Sequence, residues 1–142
     1  MSDPPVALLA ELTYRCPLRC AYCSNPTDWR DYGDELDTAT WSRVLREAAA
    51  LGALHVHFSG GEPLLRDDLE SLVRAARDAG LYTNLITSAW RVTRERLAAL
   101  ADAGLDHVQV SVQDSDPARA DRLAGTTAHA HKLVAAGWVK SL

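Results

Sequence analysis

Apolar and polar positions in this chain follow a rhythm that repeats along its length: a short apolar run, then a longer stretch with apolar residues at helical spacing. The run Val6-Ala-Leu-Leu-Ala-Glu-Leu12, after a Pro-Pro start, predicts a buried strand. Residues 24–36 are polar and read as a loop. Asp37 or Thr38 can cap a helix in which Trp41, Val44, Leu45, Ala48 and Leu51 share one face, and Gly52 ends it. His55-Val-His-Phe-Ser59 predicts a second strand, running into Gly60-Gly61-Glu62-Pro63. Asp67 and Glu70 form an acidic capping pair for a helix whose apolar stripe is Leu69, Leu72, Val73 and Ala76, stopped at Gly80. Tyr82–Thr87 predicts a third strand. Thr93 then caps a helix with Leu97, Leu100 and Ala101 inward and Gly104 at its end. His107–Gln113 predicts a fourth strand. Asp116-Pro117 opens a short helix to Leu123, broken at Gly125, and a last helical stretch carries Leu133, Val134, Gly137, Trp138 and Leu142.

This is a strand–helix unit repeated four times with no linker or low-complexity segment between the units. Such alternation predicts an α/β protein. Its strands should be parallel, joined by right-handed crossovers, with all their C-terminal ends on one face. The pattern stops inside a helical stretch, before a fifth strand. Four parallel strands cannot close a barrel, because strand number, tilt and stagger are linked. The expectation is one domain over residues 1–142 that forms an incomplete barrel with the fourth strand as an open edge, the first part of a larger protein or a truncated gene product.

Composition narrows the setting. Of the 142 residues, 47% are hydrophobic and 24% charged, enough for one domain with a real core. A net charge of −4 gives no electrostatic case for nucleic-acid binding. The start, Met-Ser-Asp-Pro-Pro, has no basic leader segment, and no apolar run approaches the roughly 20 residues a membrane helix needs. These features predict a cytoplasmic protein without membrane partners. The 3 cysteines crowd into one short stretch, which is wrong for a disulfide framework and suits reduced thiolates.

Those cysteines carry the candidate chemistry. Cys16-Pro-Leu-Arg-Cys20-Ala-Tyr-Cys23 has the spacing C-x3-C-x2-C and follows the first predicted strand directly. Three thiolates on one loop can share a metal centre while leaving it one ligand short, and an open position is what a reactive site keeps. Sulfur donors select zinc, copper(I) or an iron–sulfur cluster. A zinc site completed by His55 or His57 is the alternative for the same residues. Arg15 and Arg19 flank the cysteines and can stabilise thiolates or be plain solvated charges. The glycines of Gly60-Gly61-Glu62-Pro63 let backbone approach a ligand, and the carboxylate can accept from an ammonium group. On the fourth predicted strand Gln109, Ser111 and Gln113 share a face. His129 and His131 are read as surface residues of the last helix, and no catalytic role is assigned to any histidine.

The cysteine loop, with aromatic Tyr22 before the last cysteine, resembles that of the radical S-adenosylmethionine (SAM) superfamily. Within it, Ala10-Glu-Leu-Thr-Tyr-Arg-Cys-Pro-Leu-Arg-Cys-Ala-Tyr-Cys-Ser-Asn-Pro26 is similar to the PqqA peptide cyclases of pyrroloquinoline quinone biosynthesis. The resemblance implies a six-stranded partial barrel of which this chain would hold about four units. It implies a [4Fe–4S] cluster on Cys16, Cys20 and Cys23, with SAM on the open iron. Tyr22 would lie at the cofactor; Gly60-Gly61-Glu62-Pro63 would form the motif at the methionine amino group, with Glu62 as its hydrogen-bonding carboxylate and Gly60, Gly61 and Pro63 shaping the backbone; and Ser111 and Gln113 would reach the ribose. Asn84 and Ser88 are further candidates. Ala89 departs from the pattern, which has glycine after Thr87-Ser88. The implied chemistry is one-electron cleavage of SAM to a 5′-deoxyadenosyl radical, which takes a hydrogen atom from the substrate. The implied substrate is the precursor peptide PqqA, cross-linked between a glutamate side-chain carbon and a tyrosine ring carbon. PqqD would be the peptide chaperone, and an external donor would supply electrons. Two other functions fit the same residues: another peptide-modifying radical SAM enzyme, or an inactive metal-binding fragment.

Overall fold

The computed structural model describes residues 4–25 and 34–141. Its elements run β1 (Ala7–Thr13), α1 (Thr38–Ala50), β2 (His55–Gly60), a 3-10 turn (Pro63–Leu65), α2 (Leu69–Asp78), β3 (Tyr82–Thr87), α3 (Arg94–Ala103), β4 (His107–Val110), α4 (Pro117–Ala124) and α5 (His129–Val139). The strands form one parallel sheet in chain order. The result is an arc of a partial (β/α) barrel, the α/β fold class expected. Most of the loop 24–36 lies outside the described residues.

The core lies between one face of the sheet and α1, α2 and α3. Ala10 and Leu12 of β1, Val56 and Phe58 of β2 and Leu85 of β3 meet Leu45, Leu69, Leu72, Val73 and Leu100 from the helices. Phe58 is fully buried, worth about 1.5–3 kcal/mol of apolar transfer. Because strand side chains alternate, the opposite face carries Leu9, Glu11, His55, His57, Ser59, Asn84 and Ile86 and stays partly open. Among the described residues no helix is long and apolar enough to cross a membrane.

Several local expectations are corrected. Asp37 caps α1 through Thr40 N–H at 2.8 Å, but Leu51 sits at the exposed C-cap instead of the inner face. Asp67 does not cap α2. The cap position belongs to Asp68, whose carboxylate makes no cap bond because Arg66 and Thr38 occupy it. Thr93 caps α3 as expected, but Ala103 faces the core and Ala101 faces out, since the stripe advances by three residues from Leu100. Regular pairing in β4 ends at Val110, so Ser111 and Gln113 follow the strand; Ser111 N–H still donates to Thr87 O at 2.9 Å. On α5 the buried residues are His129, Lys132 and Ala135, while Leu133 and Val134 are about half exposed. His129 is therefore interior, and His131 is half-buried with its Nε2 3.0 Å from Val92 O.

Candidate active site

The cysteine loop leaves the C-terminal end of β1, and the Gly-Gly turn leaves that of β2. These strands are neighbours, and their last paired residues are Thr13 and Gly60. Gly60 has φ +121°, and a Cβ there would run into Thr13 O. A Cβ on Gly61 would run into the carbonyls of Tyr14 and Arg15. Glycine is needed because two backbones touch here. Gly61 N–H donates to Thr13 O at 2.6 Å and Glu62 N–H to Arg15 O at 2.8 Å. Beyond the cysteines, Asn25 Nδ2 donates to Gly60 O at 2.7 Å. Two motifs far apart in sequence become one wall.

An open cavity of about 340 Å³ lies over this wall. It is lined by Cys16, Cys20, Tyr22, Cys23, Gly60 and Gly61 on one side and by Ser88, Ser111 and Gln113 on the other. Leu9, Glu11, Leu18, Ser24, Asn25, Ser59, Ile86 and Thr87 complete the lining. Asn84 lies lower on the sheet, with its Nδ2 3.0 Å from His57 Nδ1. His55 stacks on His57 with ring centroids 6.5 Å apart. Among the described residues no three His, Cys, Asp or Glu side chains converge on a single ion.

Glu62 and Pro63 are buried and do not line the cavity. The Glu62 carboxylate accepts from Thr87 Oγ1 at 2.6 Å, Ser88 N–H at 2.9 Å, Leu64 N–H at 3.1 Å and Ser88 Oγ. Its four protein donors tie the turn after β2 to the turn after β3. The part of this motif that faces the cavity is the backbone of Gly60 and Gly61. The turn that Glu62 braces contains Ala89, at φ +55°. That is the left-handed region glycine tolerates best, which gives physical content to the departure noted above.

Charge at the loop has two sources. Burial pushes the Cys16 and Cys20 thiols above the ordinary cysteine value, and the Lys132 ammonium pulls Cys20 back. Lys132 is fully buried, and its Nζ donates to Gln113 Oε1 at 2.7 Å. Burial holds its pKa below the usual lysine range, opposed chiefly by Cys20 and Glu62. Arg15, by contrast, is engaged with Glu35 (Nε to Oε1 3.1 Å), and Arg19 is exposed. Lys132 was not visible in the sequence because the apolar Leu133 and Val134 beside it suggested a different inner face. The signal that marks it is the three-residue spacing His129, Lys132, Ala135.

A family model described as "Radical SAM superfamily" matches residues 10–137. The chain belongs to the radical SAM superfamily. It is 59% identical to the PqqA peptide cyclase of Rhodopseudomonas palustris over 97% of its own length and 37% of that protein's. It thus spans little more than a third of that curated relative. Among solved structures it is similar to SuiB of Streptococcus suis bound to S-adenosylmethionine (TM-score 0.75, 25% identity, 91% of this chain and 29% of that one). SuiB bound to the precursor peptide SuiA is similar as well (TM-score 0.72, 26% identity, 87% and 28%).

The residues fit what a radical SAM site has to hold. Three free thiols line one open cavity, a soft donor set suited to iron and sulfide. The Gly60-Gly61 backbone lies beside them with no side chain in the way.

Proposed function

We propose that Cys16, Cys20 and Cys23 hold a [4Fe–4S] cluster and that the cavity beside them binds SAM. The observation that carries this reading is that all three cysteines and the two glycines line the same cavity. The bound pair supplies one-electron cleavage of a sulfonium and hydrogen-atom abstraction from a substrate. The chain's own residues bind and orient. Gly60 and Gly61 offer backbone to the methionine amino group. Lys132, a fully buried ammonium behind the cavity wall, holds the Gln113 side chain through its bond to Oε1. Ser111 and the amide N–H groups of Gln113 reach the ribose, and Tyr22 lies along the adenosine. Glu62 and Pro63 shape the turn from beneath.

The substrate reading is the precursor peptide PqqA, joined between a glutamate side-chain carbon and a tyrosine ring carbon, with PqqD as peptide chaperone and an external electron donor. Its support is the high identity to a PqqA peptide cyclase and the likeness to a peptide-bound radical SAM structure. On this reading residues 1–142 are the N-terminal part of the radical SAM core domain, working in the reducing cytoplasm that free thiols require. The test is to reconstitute the chain anaerobically with iron and sulfide, reduce it with dithionite and add SAM. Release of 5′-deoxyadenosine, seen by chromatography, is expected. Cluster-loaded protein that leaves SAM intact overturns the proposal.

A further inference from the structure

The cysteine loop is held from two sides, and only one of them belongs to the motifs above. Arg19 N–H donates to Ala124 O and Ala21 N–H to Leu123 O, each at 3.0 Å. These amides flank Cys20. Their acceptors are carbonyls from the last turn of α4, which lack partners inside the helix. Gly125 closes that helix at φ +67°, and a Cβ there would sit 2.8 Å from Arg19 O and 3.0 Å from Arg19 Cβ. The contact is backbone against backbone, so the loop can yield to an added Cβ only by moving. The same corner is fixed from behind, where Asp121 Oδ1 accepts from Ala128 N–H and His129 N–H, both at 2.9 Å.

We propose that Gly125 is a positioning residue for Cys20. By leaving out a side chain it lets the end of α4 close on the cysteine loop and fix the backbone on both sides of the middle thiolate. The proposal rests on the reading of Cys20 as a cluster ligand. A second glycine supplies the control. Gly80 ends α2 at φ +82°, with nothing within 4 Å of the place a Cβ would take. Gly80→Ala therefore carries the left-handed penalty of an alanine without pressing on the loop.

The test compares the unaltered chain, G80A and G125A in two ways. In the apo protein, hydrogen exchange of the Arg19 and Ala21 amides should speed up about tenfold or more in G125A, as lost hydrogen bonds allow, and stay unchanged in G80A. After reconstitution, iron loss to a chelator should be several-fold faster in G125A alone. Equal behaviour of G125A and G80A in both measurements overturns the proposal. If G125A does not fold, the unaltered apo chain decides: Arg19 and Ala21 amides exchanging as fast as in a free peptide overturn it, and protected amides uphold it. Failure of the unaltered chain to take up a cluster counts against the cluster reading instead, because the apo exchange result does not depend on it.

Discussion

Glu62→Gln separates two roles for the most conspicuous carboxylate in the chain. If Glu62 braces the protein, the substitution costs stability in the apo state. If it faces the ligand, it costs affinity and little else. In the structure one carboxylate oxygen accepts from Leu64 N–H and Thr87 Oγ1, and the other from Ser88 N–H and Ser88 Oγ. A glutamine must place its NH2 at one of these positions. Thr87 and Ser88 can turn their hydroxyls to accept, but neither backbone N–H can. Whichever way the amide lies, one buried donor faces another donor. An unsatisfied buried donor costs about 1–3 kcal/mol, and more where the lost acceptor was charged, so the expected loss is about 2–4 kcal/mol. That is a large share of the roughly 5–15 kcal/mol that holds a domain folded. At a urea slope of about 2 kcal/mol per M, the midpoint of the apo chain falls by about 1–2 M with the slope unchanged. A shift below about 0.3 M, joined to a large loss of SAM affinity in reconstituted protein, refutes the bracing role.

Three further outcomes follow from the geometry. The Arg66 guanidinium, bonded to both oxygens of Asp68 at 2.7 and 2.8 Å, holds that carboxyl below the usual range. A depressed folded value gives stability that is present above the unfolded carboxylate pKa of about 3.9 and lost as pH falls through the folded value, so the urea midpoint should drop below about pH 4 and D68N should flatten that drop. Ala89→Gly should be nearly neutral in urea unfolding, because relief of the left-handed backbone, about 1 kcal/mol, offsets loss of a buried methyl worth about 0.8 kcal/mol. Incubated with PqqA, SAM and reductant, this 142-residue chain should form little or no cross-linked peptide by mass spectrometry, since it spans 37% of a cyclase's length.

The strands and the site's two motifs were legible because local rules govern them. Apolar runs bounded by glycine and capped helices gave each element to within a few residues, and sequential parallel pairing set Thr13, just before the cysteine loop, beside Gly60. What the sequence hid was decided by contacts between distant residues. The cap position of α2 falls to Asp68 instead of Asp67, and its carboxylate is taken up by Arg66, which also reaches Leu12 O at 3.1 Å. Leu133 and Val134 face outward because the inner side of α5 is spent on Lys132, whose ammonium bonds Gln113. Glu62 pointed to a ligand by motif, yet the residues that occupy it, Thr87 and Ser88, lie in the next strand–helix unit. Gly125 read as an ordinary helix stop, and its contact with Arg19 is invisible without the fold.

Whether Cys16, Cys20 and Cys23 hold an iron cubane with one free corner is read from Mössbauer and electron paramagnetic resonance spectra of the anaerobically reconstituted chain. A [4Fe–4S] signal that shifts when SAM is added and vanishes in Cys16→Ala is expected. A colourless protein that keeps one tightly bound zinc, with no cubane signal, would overturn the cluster assignment.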